Sequence, residues 1–463
     1  MKQSAGRAGK GRYEVDESRQ SKRLPALRFF MRYPIFFLAF GPPLFRPGSG
    51  VDITKGQLDL WSFFQAGLLS AVALWSVLHL ATTDSILIPK QIRSILRLAL
   101  YLGLLYLAST AYSPSRLATA AYSILNFFTL ICVVEFIADA YRNPPNWIQC
   151  LFELRAISLI LFVIILLTLA VKPDLVMAVI PGAGIRLIGG AVAPVPLICA
   201  TIAIISAYSF LHSLESRGRS ISFFIVGLAG TLLTQARGCE LSLFGCLAIL
   251  AIEWAKTDRR ITYVLISGLM VLILLFGISA AAIGPEHIWK VFNRGESVEG
   301  ITSASGRTEI WAFVIKYSMT HPLGMGYVDG FRVLFRQHFS LGSGLIVSHI
   351  GNTHNTFVQV LADAGWLALA IYLIMTVKII RLAWRFAKKQ TRPDSSFDSA
   401  CGHGIRCSLL LLLFCIMYGM GANEFSAPLR AGFYFEYIVI AIILGASARM
   451  LVASRAQHIS LAE

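Results

Sequence analysis

Apolar runs, several of them roughly 18 or more residues long, alternate with short polar connections along most of this chain, which is the length a helix needs to cross the hydrocarbon core of a bilayer. The pattern predicts about twelve spans. They fall at Tyr33–Phe45, Leu60–Ala81, Leu98–Tyr112, Ala118–Ala138, Ile157–Val171, Gly190–Leu211, Ser222–Thr234, Leu241–Trp254, Ile261–Ala282, Val358–Ile380, Ser408–Ala422 and Gly432–Ala446. The first run is short and contains Pro34, Gly41, Pro42 and Pro43, with no small-residue cleavage site behind it, so it reads as an uncleaved anchor. The expected fold is all-α and polytopic. Its parts are a basic cytoplasmic tail at 1–28, N-terminal transmembrane helices over 29–282, a large partly helical loop over 283–357, C-terminal transmembrane helices over 358–450 and a short cytoplasmic tail at 451–463.

The loop is the one long polar interval between apolar runs. It holds five of the nine histidines, yet Trp311, Phe313, Tyr317, Tyr327, Phe331 and Phe335 give it too many large apolar groups for disorder. A folded cap on the membrane is the expectation.

Composition agrees with the pattern: 56% of residues are hydrophobic and 14% charged. A net charge of +16 would suggest nucleic acid in a soluble protein, but here the basic residues gather in short segments between spans, and no nucleic-acid partner is expected. Lys90, Arg93 and Arg97, then Arg142 and Arg155, Arg217 and Arg219, Lys256, Arg259 and Arg260, and finally Lys378 to Arg392 mark alternate connections. By the positive-inside rule that side is cytoplasmic, with both termini, and the loop faces outward. None of the eight cysteines falls in the loop, which argues against a disulfide framework and against a cysteine-based zinc site.

This orientation makes Arg186 and Arg237 conspicuous at span ends on the outer face. Snorkelling explains an arbitrary arginine there. Both, however, neighbour glycines (Gly184, Gly189, Gly238) that let a ligand approach the backbone, and Arg237 sits in the turn of a helical hairpin. Two guanidiniums suit a phosphate or pyrophosphate. Glu240 can orient Arg237 through a local ion pair, or that pair can be purely structural.

Within the loop, Gly306–Met319 reads as an amphipathic helix stopped by Pro322, with Ile310, Trp311, Val314 and Ile315 at helical spacing. Arg307 in its first turn opposes the helix dipole and so needs another reason to be there. His354 lies at the mouth of the next span, flanked by Thr353 and Asn355, and imidazole titrates where it can take a proton from a hydroxyl. His349 and His321 are its competitors. Nothing pairs these histidines with acidic residues at metal spacing, so metal-independent chemistry without a cofactor is expected.

The segments LTQARGCEL, SGRTEIWAFVIKYSMTHPLGMGY and THNTFVQVLADAG resemble the O-antigen ligase and polymerase superfamily, which includes exopolysaccharide polymerases. The resemblance covers about Arg186 to Ile380. It implies a GT-C-like inner-membrane glycosyltransferase with a periplasmic active site, an undecaprenyl-pyrophosphate-linked oligosaccharide donor, a glycan or lipid A-core acceptor, membrane lipids around it and polysaccharide-assembly partners. Arg237 to Leu241 matches the ligases' Arg-x-x-x-Leu motif. His354, Asn355 and Gly365 match His-Asn followed by Gly-x-x-Gly, but the last glycine is Ala368. Ligase and polymerase both stay open. Under this resemblance His354 is the base, Arg186, Arg237 and Arg307 hold the pyrophosphate, and Asn355, Glu240 and Gly365 support them. A transporter or flippase for lipid-linked sugars is the competing class, kept alive by Glu135 and Glu436 inside apolar runs.

Overall fold

A computed structural model describes residues 60–82, 88–142, 145–173, 177–180, 184–187, 194–257, 307–328, 330–339, 353–389, 396–422, 425 and 431–460. The chain is a polytopic helical membrane protein. Its described helices are α1 (Leu60–Ala81), α2 (Lys90–Ala108), α3 (Arg116–Arg142), α4 (Trp147–Val171), α5 (Pro194–Leu211), α6 (Arg217–Leu233), α7 (Arg237–Thr257), α8 (Arg307–Thr320), α9 (Gly330–Phe339), α10 (Thr356–Lys389), α11 (Ser396–Gly419) and α12 (Ala431–Ser460). Among the described residues, seven helices (α2, α3, α4, α7, α10, α11 and α12) are long and apolar enough to cross a membrane, and α1 and α5 contain shorter apolar stretches. The spans expected at Tyr33–Phe45 and Ile261–Ala282 lie outside the described residues.

The described fold is helical, as expected, apart from one short hairpin. Between α4 and α5 the chain forms an antiparallel hairpin of β1 (Met177–Ile180) and β2 (Gly184–Leu187), with Arg186 opposite Ala178. Several helices also start earlier than their apolar runs: α2 at Lys90, α4 at Trp147 and α11 at Ser396. The backbone ladder does not stop where the apolar sequence does. At α2 a polar first turn that begins Lys90-Gln91 extends the helix, and at α4 Asn146 caps it, its Oδ1 accepting from the amides of Ile148 and Gln149 at 3.2 Å each.

This lengthening corrects the charge reading at Arg155. It is not a loop cation but a residue inside α4, its side chain 3% exposed, paired with Glu215 from the connection between α5 and α6. The guanidinium donates through both terminal nitrogens, the contact to Oε2 being 2.7 Å. α6 in turn lies so close on α5 that a Cβ at Gly227 would meet the Ala203 nitrogen at 2.5 Å.

The core sits among α3, α4, α5, α10, α11 and α12, where Trp147, Phe136, Phe386 and Phe414 are almost fully buried. Leu74, Trp75, Leu167, Ile225 and Leu233 point outward, as lipid-facing side chains do. All eight cysteines are buried, and none of them forms a disulfide. Glu135 accepts a 2.8 Å contact from His79 Nδ1, and Glu436 accepts from the Tyr372 hydroxyl at 3.0 Å. Both carboxylates therefore have partners inside the helix bundle.

Candidate functional site

Three helices begin at one end of the molecule, and each start carries a residue that the sequence marks. α7 opens on Arg237 after a tight turn from α6, in which Gln235 takes a positive φ of 50° and donates its amide to Leu232 O at 3.0 Å. α8 opens on Arg307. α10 opens on Thr356, just past His354 and Asn355. Asn355 is its N-cap: Oδ1 accepts from the amides of Phe357 at 2.9 Å and Val358 at 3.1 Å. Helix starts expose unpaired N–H groups and the positive end of the helix dipole, so a place where three of them meet favours an anion.

They meet at the turn that follows α11. Arg307 Nη1 donates to Gly421 O at 3.0 Å, Asn355 Nδ2 to Met420 O at 3.0 Å, and Thr356 Oγ1 to Ala422 O at 3.1 Å. The first turn of α7 touches the same place, since a Cβ on Gly421 would lie 4.0 Å from Gly238 Cα, and one on Gly238 would lie 3.7 Å from the Tyr418 ring. The sequence reading passed over this Gly-Met-Gly-Ala turn. Its signal was a pair of glycines closing an apolar run.

His354 is half-buried, with φ at +52°, a left-handed conformation uncommon outside glycine. Its neighbours hold it there. Thr353 O accepts from Trp311 Nε1 at 2.8 Å, Thr353 N donates to Gln359 Oε1 at 3.1 Å, and Thr353 Oγ1 donates to Asn355 O at 2.8 Å. Trp311 therefore ties α8 to the residue before His354. On the adjoining face of α8, Ile310, Val314 and Ser318 are buried, while Ile315 and Met319 are exposed, so only part of the predicted stripe is covered.

Gly365 has a structural role that its position alone did not reveal. α10 is broken at Ala364 and Gly365, where Gly365 has φ +77°. The backbone from Pro322 to Gly326 fills the break: Trp366 N donates to Pro322 O at 3.1 Å, Met325 N to Ala362 O at 2.7 Å and Gly326 N to Asp363 O at 3.0 Å. A Cβ on Gly365 would lie 1.8 Å from Pro322 O, which no side chain could accept. Ala368, where the resemblance leads one to expect glycine, is fully buried.

The same cap segment is fixed to α2 and its end. Tyr327 stacks on Tyr106 with ring centroids 3.9 Å apart, Tyr327 N donates to Ser109 Oγ at 3.0 Å, and the Tyr112 hydroxyl donates to Leu323 O. Burial, helped by the Asp363 carboxylate, pushes the Tyr112 phenol up to about 12, so it remains a donor across the physiological range.

Not every expected residue joins the group. Arg186 stands on β2. Glu240 lies in the first turn of α7 with Arg237, where a carboxylate also suits the helix dipole. His321 follows the far end of α8, stacked on Tyr317 with centroids 4.1 Å apart. A 14-residue helix separates it from Arg307, about 20 Å at the usual rise. His349 lies outside the described residues.

Over residues 221–373 the chain matches the family model described as O-antigen ligase. That interval runs from α6 into α10, so it takes in Arg237, Arg307, His354 and Gly365 and leaves Arg186 outside. No curated protein matches the chain.

Proposed function

We propose, from the premise that the chain belongs to the O-antigen ligase/polymerase superfamily, that it is a membrane glycosyltransferase moving a glycan from undecaprenyl pyrophosphate to an acceptor hydroxyl on the periplasmic side of the inner membrane. The observation that carries this reading is the meeting of Arg237, Arg307 and His354 at three helix starts around one turn. The acceptor hydroxyl gives its proton to His354, and its oxygen forms a bond to the anomeric carbon. The bond from that carbon to the pyrophosphate oxygen breaks on the opposite face, inverting the configuration. The lipid pyrophosphate leaves with its charge held by Arg237, Arg307 and the helix starts. Arg186 is assigned to the same anion through the resemblance. Asn355 and Gly365 act by positioning: the first caps α10 beside His354, and the second admits the cap's backbone. The arginines stand where a divalent cation would otherwise neutralise the pyrophosphate, so the reaction needs no metal.

Ligase and polymerase differ only in the acceptor. Loss of repeats from the surface glycan of cells lacking the gene marks a polymerase, and loss of attachment marks a ligase. A transporter would keep the carbonyls of a broken helix free for an ion or a substrate. In α10 the carbonyls of Ala362 and Asp363 are occupied by the amides of Met325 and Gly326, which weighs against that class.

The test is transfer by His354→Ala, reconstituted with lipid-linked donor. Loss of the base lowers the rate by about 10² to 10⁴ while donor binding persists. Near-normal transfer would remove His354 from this role.

A further inference from the structure

At the opposite ends of α7 and α10, three helices enclose a groove that the transfer reaction does not use. α7 contributes Glu253 and Lys256, α10 contributes Trp384 and Lys388, and α11 contributes Arg406. With apolar neighbours such as Leu409 they line a cavity of about 400 Å³. Arg406 is fixed in place, its Nε donating to Ala387 O at 3.0 Å, while its Nη1 lies 3.6 Å from Glu253 Oε1, too long for a good hydrogen bond. The Lys388 ammonium sits 5.5 Å from the centre of the Trp384 ring. One carboxylate thus faces three cations at the rim, and the wall beside them is apolar. Charge at one end and hydrocarbon along the other is the outline of a phospholipid, and the surplus positive charge selects an acidic one.

We propose that this groove binds an acidic phospholipid, its phosphate among Lys256, Lys388 and Arg406 and an acyl chain along the side formed by Leu409. Lys256 and Lys388 are exposed at the rim, whereas Arg406 is part of the frame. The site does not depend on the transfer reaction.

Tryptophan emission of the full chain in nanodiscs reads the site directly. At equal mole fraction, brominated phosphatidylglycerol should quench more than brominated phosphatidylcholine, and the excess should vanish in Trp384→Phe. Lys256→Gln with Lys388→Gln should weaken the preference roughly fivefold for each lysine lost, and Lys256→Arg with Lys388→Arg should keep it. Equal quenching by the two lipids would overturn the proposal. So would an excess that survives Trp384→Phe or the double glutamine variant, and so would an excess abolished by millimolar inorganic phosphate, because the site would then select the free anion.

Discussion

Arg307 Nη1 donates to the carbonyl of Gly421 at 3.0 Å, joining two positions 114 residues apart in the chain. That hydrogen bond directs one guanidinium edge to the protein and holds the group beside the starts of α7 and α10. An arginine anchored in this way presents its charge at a fixed place, which a lysine cannot do with one flexible ammonium.

Replacing Arg237 by Lys keeps the charge and removes the planar fork. Loss of an oriented donor at a developing anion typically costs about 10² in rate, so transfer should fall by roughly that factor in the reconstituted assay, with weaker donor binding. The wild-type rate should survive a chelator such as EDTA. A rate restored only by magnesium or manganese would show that the anion is neutralised by a cation instead.

Gly365→Ala places a Cβ where Pro322 O already sits, at a φ that disfavours side chains. Thermal unfolding in detergent should report a loss of about 2 kcal/mol or more. Gly218→Ala is the matched control: it lies in the first turn of α6 with no neighbour within 4 Å of the new methyl, and it should be neutral or slightly stabilising.

The Arg155–Glu215 pair predicts a pH dependence. Burial alone would raise the Glu215 carboxyl, but the hydrogen bonds and charge of Arg155 outweigh it and hold the group below its ordinary value of 4.5. A carboxyl depressed in the folded state adds stability above its unfolded value, and that stability is lost as pH falls below about 4.5 toward the folded value. Arg155→Met should weaken this acid limb and cost about 3 kcal/mol, because the carboxylate is left with the Ser220 hydroxyl at 2.9 Å and Arg219 at 3.6 Å. Arg155→Met combined with Glu215→Leu should recover most of that loss in unfolding measurements at neutral pH.

Orientation can be tested without touching the site. All eight native cysteines are buried, so single cysteines at the exposed positions Lys316 and Arg217 should report cleanly. An impermeant thiol reagent added to intact spheroplasts should label Lys316→Cys and spare Arg217→Cys. The reverse pattern would place the cap in the cytoplasm and remove the proposed reaction from the compartment that holds its donor.

Much of this architecture was legible because membrane helices follow a local rule: apolar length and a capping residue decide them. α1 coincides with its predicted run, α8 starts and stops within a residue of its predicted bounds, and Asn355 carries the side chain an N-cap calls for. Arg155 was misplaced because counting charges treats every arginine as a loop residue, whereas its partner Glu215 lies 60 residues away and is invisible to the count. The Met420–Ala422 turn escaped notice for the same reason. Its meaning lies in what docks on it, and those partners come from α7, α8 and α10. The hairpin carrying Arg186 was hidden within a stretch whose hydropathy resembles the edge of a span.

The filled break in α10 has a mechanical consequence. With Pro322 to Gly326 wedged between its two halves, the cap and the first turns of that helix work as a mortise joint, and Trp311 adds a peg on the far side. Arg307 on α8 and His354 before α10 are thereby carried by elements that this one joint ties together. Under the proposed transfer, the joint would oblige the product to leave along the surface by which it entered, with Pro322 to Gly326 still seated in α10.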